Sequence, residues 1–214
     1  MNRRVKVKVC GMTRLNDIKC AVKLDADAIG INLYAPSPRS VSIAKASSLI
    51  SSIPKGKRVL VDVETPPHVL EEYLGLGFDK FQIHFDMANG WCRLAEWLVI
   101  VGRDRLWLAP RIPPGEHFPV EVLDYCSTIV TDTYSEGLFG GTGKTRDWAH
   151  FARLQDRHPQ HRWILAGGLN SGNVSEAITQ SRTHFIDVNS GIESSPGKKD
   201  SRKMEELFQT LSDK

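Results

Sequence analysis

The sequence lacks several features that mark common classes of protein. Its 214 residues include only four cysteines, Cys10, Cys20, Cys92 and Cys126. These show neither a Cys-x-x-Cys spacing nor a zinc-type pairing with histidine, so they are interpreted as free thiols and no metal site is expected. The longest apolar stretch, around Trp97 to Val101, is far too short to cross a bilayer. The first residues alternate Val with charged side chains instead of forming the apolar core of a signal peptide. A cytoplasmic chain with no membrane partner is therefore predicted.

The chain also lacks a concentrated basic patch. Its formal net charge is only +3, and lysine and arginine are spread along its length. A nucleic-acid surface usually needs clustered positive charge, so no nucleic-acid partner is predicted, whereas a small anionic metabolite fits. With 41% hydrophobic and 25% charged residues and no low-complexity tract, the composition is typical of a globular protein. The length predicts one domain over residues 1–214.

Short β-branched runs alternate with helical patterns along the whole chain, which is the pattern of parallel βαβ units. The eight predicted strands are Val5–Cys10, Ala28–Leu33, Arg58–Val63, Lys80–Phe85, Leu106–Arg111, Thr128–Asp132, Trp163–Ala166 and Phe185–Asn189. The predicted helices are Asp17–Leu24 with Asn16 as N-cap, Ile43–Ile50, Pro67–Leu74, Gly90–Val101, a weak one in Pro119–Tyr125, Trp148–Gln155, Asn173–Gln180 and Ser201–Leu211.

Such units form either an open sheet or a closed barrel, and the placement of unusual residues favours the barrel. Polar residues and glycines fall at the C-terminal ends of strands in six different units, as they do on the catalytic face of a barrel. The predicted fold class is therefore α/β, a single (β/α)8 TIM barrel.

Two reactive side chains end strands of this predicted barrel. If the valines of the first strand face the helices, Lys8 and Cys10 point into the barrel, where a lysine favours a partial thiolate. Asp132 ends the sixth strand and would stand across the barrel mouth from Cys10. A thiol and a carboxyl group so placed can act as base and acid, although an inert buried cysteine and a turn-capping aspartate are the simpler interpretations.

Three glycine-rich segments follow the last three strands. The loop at Gly140–Lys144, which contains Gly141 and Gly143, fails the P-loop spacing and is interpreted as a loop that closes over a substrate. Gly167-Gly168 and Ser190-Gly191 follow strands seven and eight, where barrels bind phosphate through backbone amides. A tight turn would explain either glycine pair by itself, whereas a phosphate-binding site explains why both pairs occur, one after each of the last two strands.

Other polar residues are candidates for substrate binding. Arg39 lies on a loop stiffened by two prolines and could present its guanidinium to a carboxylate. Gln82 is expected to face the barrel interior and His84 its mouth, although satisfied polar side chains inside the barrel would explain them equally well.

Taken together, these segments resemble the phosphoribosylanthranilate isomerases of tryptophan biosynthesis. The matching stretches, in family order, are Lys8–Thr13, Ser37–Ser42, Gly140–Thr145 with Asp147-Trp148, Ala166–Asn170 with Asn173-Val174, and Asp187–Glu193 continuing as Ser195–Asp200. The resemblance implies a cofactor-free Amadori rearrangement of a phosphorylated aminoaldose by a monomer or homodimer.

The resemblance also implies roles for individual residues. It makes Asp132 the general acid that opens the ribose ring and Cys10 the general base at C2′. Arg39 would hold the anthranilate carboxylate, the glycine pairs the phosphate, and Asp187 would lie nearby as a substrate or supporting group.

The chain departs from the family pattern at four positions, Phe85, Ala109, Pro110 and Arg146. These changes are expected to reshape the anthranilate side of the pocket more than the acid, the base or the phosphate site. Two alternatives stay open: a barrel isomerase acting on another phosphoribosyl aminoaldose, and a non-catalytic protein that binds a phosphorylated ligand. Cys in place of Asp at the end of the first strand weighs against the first, and the presence of both Cys10 and Asp132 weighs against the second.

Overall fold

A computed structural model of the chain describes residues 4–87, 91–113, 116–131 and 148–212. Eight parallel strands close into a barrel in sequence order, with the last strand pairing with the first. The strands are β1 (Lys6–Val9), β2 (Ala28–Asn32), β3 (Arg58–Val63), β4 (Lys80–Asp86), β5 (Leu106–Arg111), β6 (Thr128–Thr131), β7 (Arg162–Leu165) and β8 (Phe185–Val188). The predicted barrel is confirmed, with strand ends that differ from the predicted ones by at most one residue.

Helices connect the strands on the outside of the barrel. They are α1 (Leu15–Lys23), α2 (Ile43–Ile50), α3 (Pro67–Leu74), α4 (Leu94–Val101), α5 (Trp148–Arg157), α6 (Val174–Ser181) and α7 (Ser201–Ser212). The weakest predicted helix is a 3-10 helix at Val120–Asp124. Two further 3-10 helices lie at Trp91–Arg93, just before α4, and at Ser190–Ile192, just after β8. A short hairpin, β9 (Glu193–Ser195) and β10 (Lys198–Lys199), precedes α7.

The predicted Asn16 cap of α1 is wrong. The helix begins at Leu15 and its N-cap is Arg14. The Arg14 guanidinium binds the Asp17 carboxylate at 2.9 and 2.7 Å and the carbonyl oxygen of Lys199 at 2.8 Å. The start of α1 is therefore set by contacts with the β9–β10 hairpin, which local sequence does not reveal.

Side chains alternate between two separate cores. One apolar cluster lies between strands and helices and contains Val7 and Val9 of β1. A second, smaller cluster fills the barrel interior and contains Cys10, Val61, Trp107 and others. The inward direction predicted for Cys10 is confirmed, because alternate residues of a strand point to opposite faces.

No helix in the described parts of the chain has the length and apolar character needed to cross a membrane.

Candidate active site

A cavity opens at the C-terminal ends of the strands and collects residues from seven of the eight units. Its lining residues are Cys10, Asn32, Tyr34, Ser37, Arg39, Val61, Val63, Gln82, His84, Val130, Ala166, Gly167, Gly168, Asp187, Asn189 and Ser190. Eight of the twelve predicted site residues lie in this list. Gly191 is not a lining residue but follows Ser190 directly in the chain. Asp132, Gly141 and Gly143 lie outside the described residues.

Cys10 lies in this cavity above a buried ion pair. Nζ of Lys8 lies 2.6 Å from Oδ2 of Asp187, and the two side chains are 0% and 7% exposed. Register explains the contact, since Lys8 and Asp187 are paired neighbours on β1 and β8 and both point inward. A Cβ added at Gly30 would meet the Cys10 sulfur at 3.0 Å and the Lys8 Cε at 3.2 Å. Lys8 and Cys10 therefore share one glycine-lined space inside the barrel.

Burial dominates the protonation of Cys10. Desolvation raises the pKa of the thiol, the positive charge of Lys8 lowers it, and the negative charge of Asp187 raises it again. The pKa lies above its ordinary value, so the expectation of a partial thiolate in the resting protein is wrong. Burial alone would lower the pKa of Lys8, but attraction to Asp187 and Cys10 leaves it raised, and Lys8 stays charged.

Gln82 and His84 take the predicted orientations on β4. Gln82 is buried in the interior and its Nε2 lies 2.8 Å from Nε2 of His84, while Oε1 of Gln82 has no hydrogen-bond partner among the described residues. Burial lowers the pKa of His84 to about 4, assisted by the charge of Lys8. His84 is therefore neutral at pH 7, and its Nε2 accepts a hydrogen bond from the Gln82 amide.

The departure at Phe85 does not reshape the pocket, so that prediction is wrong. Because His84 points inward, Phe85 points outward, where it is fully buried against Trp97 with ring centroids 5.7 Å apart. Pro110 is its registered neighbour on β5. Ala109 does face the interior beside His84, but it is buried in the smaller core and does not line the cavity. Arg146 lies outside the described residues.

The loop that carries Arg39 is organised by Asn32 at the end of β2. The Asn32 carbonyl oxygen Oδ1 accepts a hydrogen bond from the Tyr34 amide at 2.8 Å, and its Nδ2 donates to the Ser37 hydroxyl at 3.2 Å. The backbone amide of Arg39 donates to the same hydroxyl. Sequence reasoning missed Asn32, although the inward series Ala28, Gly30 and Asn32 was a usable signal.

The glycine turns after β7 and β8 lie against each other. Gly167 and Gly168 adopt φ values of +102° and +64°, which favour glycine. A Cβ on Gly191 would lie 2.0 Å from the Leu169 carbonyl oxygen, so only glycine permits this approach of the two loops. The Asn173 side chain braces the first turn by donating to the Gly168 carbonyl at 3.0 Å and accepting from the Asn170 amide at 2.9 Å.

Comparison with known proteins agrees with this architecture. The family described as N-(5'-phosphoribosyl)anthranilate (PRA) isomerase matches residues 7–210. The chain belongs to this family. It is similar to the N-(5'-phosphoribosyl)anthranilate isomerase of Aquifex aeolicus, with 36% identity over 207 residues that cover 95% of this chain and 97% of the relative.

Two solved structures extend the comparison to three dimensions. The phosphoribosyl anthranilate isomerase of Thermotoga maritima superimposes with a TM-score of 0.78 at 29% identity, covering 98% of this chain and all of that one. A second structure of such an isomerase, in complex with reduced 1-(o-carboxyphenylamino)-1-deoxyribulose 5-phosphate, gives a TM-score of 0.77 at 28% identity with the same coverage.

Proposed function

We propose that this chain catalyses the Amadori rearrangement of N-(5-phosphoribosyl)anthranilate to 1-(2-carboxyphenylamino)-1-deoxyribulose 5-phosphate, the isomerase step of tryptophan biosynthesis. The observation that carries the proposal is one cavity lined together by Cys10, Arg39 and the paired glycine turns after β7 and β8. A base, a carboxylate ligand and a phosphate site are what this substrate requires. The reaction moves a proton and needs no external electron acceptor, so we expect no cofactor.

In this mechanism Asp132 protonates the ribose ring oxygen, which opens the ring to a Schiff base. The Cys10 thiolate then removes the proton from C2′, and the resulting enolamine tautomerises to the ketone. Placement of Lys8 beside Cys10 supports the second step, because an ammonium group offsets part of the cost of forming a buried thiolate. Asp132 has its role from the family motif and from its position one residue after β6.

Substrate contacts follow from the remaining lining residues. Arg39 would bind the anthranilate carboxylate through the part of its planar guanidinium that is not turned toward Glu193. Gln82 Oε1 is a buried acceptor that a ribose hydroxyl would satisfy, His84 contacts the Gln82 amide, and Asp187 lines the same cavity. The phosphate would lie against the backbone amides of Gly168, Ser190 and Gly191, with Gly167 giving the turn its shape. Gly141 and Gly143 are proposed to complete this site from the loop after β6.

The decisive experiment incubates the purified chain with freshly prepared phosphoribosylanthranilate and follows the loss of its anthranilate-type fluorescence. Turnover that is unaffected by a chelator supports the proposal. Binding of the reduced product analogue without turnover would favour the non-catalytic alternative instead. Faster conversion of another phosphoribosyl aminoaldose would favour the other isomerase.

The phosphate site has its own test. Crystals soaked in inorganic phosphate should place the anion against the amides of Gly168 and Gly191. Gly191→Ala should abolish this site, because its methyl group would push the Leu169 carbonyl away, whereas Gly75→Ala, with its nearest contact at 3.6 Å, should not. An anion bound elsewhere in the unchanged chain would contradict the proposed orientation of the substrate.

A further inference from the structure

The guanidinium of Arg39 is held by the carboxylate of Glu193. Nε of Arg39 lies 3.0 and 3.2 Å from the two oxygens of Glu193, and Nη2 lies 2.7 Å from Oε2. The two side chains are 20% and 4% exposed. Two donors on one carboxylate fix the plane of the guanidinium, which a single contact would leave free to rotate.

Glu193 is fixed in turn by the β9–β10 hairpin. Lys199 Nζ lies 2.9 Å from Oε1 of Glu193, and the Gly197 amide donates to the same oxygen at 3.1 Å. Burial alone would raise the pKa of Glu193, but Arg39 and Lys199 bring it below its ordinary value, and the carboxylate stays ionised. Lys199 is itself buried, and desolvation brings its pKa below the ordinary value although the negative charge of Glu193 opposes this effect.

The same cluster reaches the loop after β8. Nζ of Lys199 also binds Asn189, its side-chain oxygen at 2.7 Å and its carbonyl oxygen at 3.2 Å. The Arg39 stem crosses Gly11, where a Cβ would lie 2.8 Å from Arg39 Cδ and 2.7 Å from Asn189 Oδ1. The position of the guanidinium therefore depends on the close approach at Gly11 and on the hairpin, which Lys199 joins in turn to Asn189.

We propose that Glu193 is a positioning residue for substrate recognition: held by Lys199, it orients the Arg39 guanidinium toward the carboxylate of the substrate's aromatic ring. This inference rests on the proposed function, in which Arg39 binds that carboxylate. It adds a residue outside the cavity lining that determines specificity for an acidic over a neutral aromatic amine. A simple hairpin anchor would make the same contacts without affecting that specificity.

The test compares two ligands in the absence of turnover. One is the reduced product analogue with its carboxyl group, and the other is the same molecule with hydrogen in place of that group. Glu193→Gln should weaken binding of the carboxyl-bearing ligand tenfold or more, because a neutral amide no longer holds the guanidinium through charge-assisted hydrogen bonds. Affinity for the neutral ligand should stay within about twofold. Arg39→Ala should likewise weaken binding of the carboxyl-bearing ligand and leave the affinity for the neutral ligand almost unchanged. Adding Glu193→Gln to Arg39→Ala should change neither affinity further.

Asp17→Asn is the matched control, since Asp17 anchors the same hairpin through the Lys199 amide at 3.2 Å without contacting Arg39. If Asp17→Asn reproduced the loss, or if Glu193→Gln weakened both ligands equally, the positioning role would be refuted. If Arg39→Ala weakened both ligands equally or neither of them, Arg39 would not be the residue that binds the carboxylate, and this inference would be refuted as well. If Glu193→Gln does not fold, Arg39→Lys takes its place in the test. Lysine keeps the positive charge but lacks the paired donors of the guanidinium, so this variant must lose the preference for the carboxyl-bearing ligand.

Discussion

The ammonium group of Lys8 lies 2.6 Å from the Asp187 carboxylate, directly below Cys10 in the barrel. The pair places two opposite charges next to one buried thiol. The cation has the larger effect, because Lys8 lowers the pKa of Cys10 more than Asp187 raises it. Because desolvation still exceeds this effect, the thiolate is the minor form in the resting protein. The free energy needed to deprotonate Cys10 is therefore part of the activation barrier, and the positive charge of Lys8 reduces it.

We expect Lys8→Met and Asp187→Asn to move the Cys10 pKa in opposite directions. Loss of the ammonium group should raise the pKa of Cys10, and loss of the carboxylate should lower it. Ultraviolet absorbance of the thiolate during a pH titration, with the same variant carrying Cys10→Ala subtracted, measures this pKa. The Lys8→Met/Asp187→Asn double variant controls for the cost of leaving one buried charge unpaired. An unchanged Cys10 pKa in both single variants would show that burial alone controls the thiol.

Substitution of Phe85 should affect stability and leave catalysis unchanged. Its ring is fully buried against Trp97 on the helix side of β4. Phe85→Ala should reduce the free energy of unfolding by about 3–5 kcal/mol, as is usual for deletion of a buried aromatic ring. Denaturant unfolding gives this value, and steady-state kinetics on the folded fraction should give kcat/KM within about twofold of the unchanged chain. A large change in kcat/KM with normal stability would place Phe85 back in the pocket.

The case of Phe85 shows where sequence reasoning succeeded and where it did not. Strand periodicity correctly directed Cys10 and His84 inward, and the same alternation on β4 already directed Phe85 outward. The family pattern points to the pocket instead, because it takes no account of the direction of the side chain. By contrast, the raised pKa of Cys10 depends on the balance between desolvation and two nearby charges, which only coordinates provide. The contact of Arg39 with Glu193 joins residues 154 positions apart, and no local sequence pattern predicts it.

His84 should make the chain less stable in mild acid. Its pKa is about 4 in the folded protein against an ordinary value of 6.5, so the unfolded chain binds a proton first as the pH falls. Stability is then unaffected above pH 6.5 and declines between pH 6.5 and 4, by up to about 3 kcal/mol.

His84→Gln should remove this part of the decline. Urea unfolding of both proteins at pH 7 and pH 4.5 measures the difference, and His68→Gln, at an exposed position, is the control. Identical pH dependence in the His84 variant and the unchanged chain would show that His84 titrates normally.

The proposed base and acid should each be needed for turnover but not for binding. General acid and base groups typically contribute roughly 10²–10⁴-fold, so Cys10→Ala and Asp132→Asn should each reduce kcat by that order. Affinity for the reduced product analogue, measured by fluorescence titration, should change little, because neither group holds the phosphate or the carboxylate. Cys20→Ala, at a half-buried cysteine of α1, should leave kcat unchanged.

The pH dependence separates the two roles. Productive enzyme carries Cys10 as thiolate and Asp132 as acid, and burial raises the pKa of Cys10, so the thiolate is the minor form near neutral pH. The profile of kcat/KM should be bell-shaped, with apparent pKa values that belong to the pair, and each variant should lose one limb in its residual activity. Loss of ligand affinity in Cys10→Ala would indicate a structural role for the thiol. Near-normal turnover by the same variant would refute the mechanism, because no other thiol among the described residues lines the cavity.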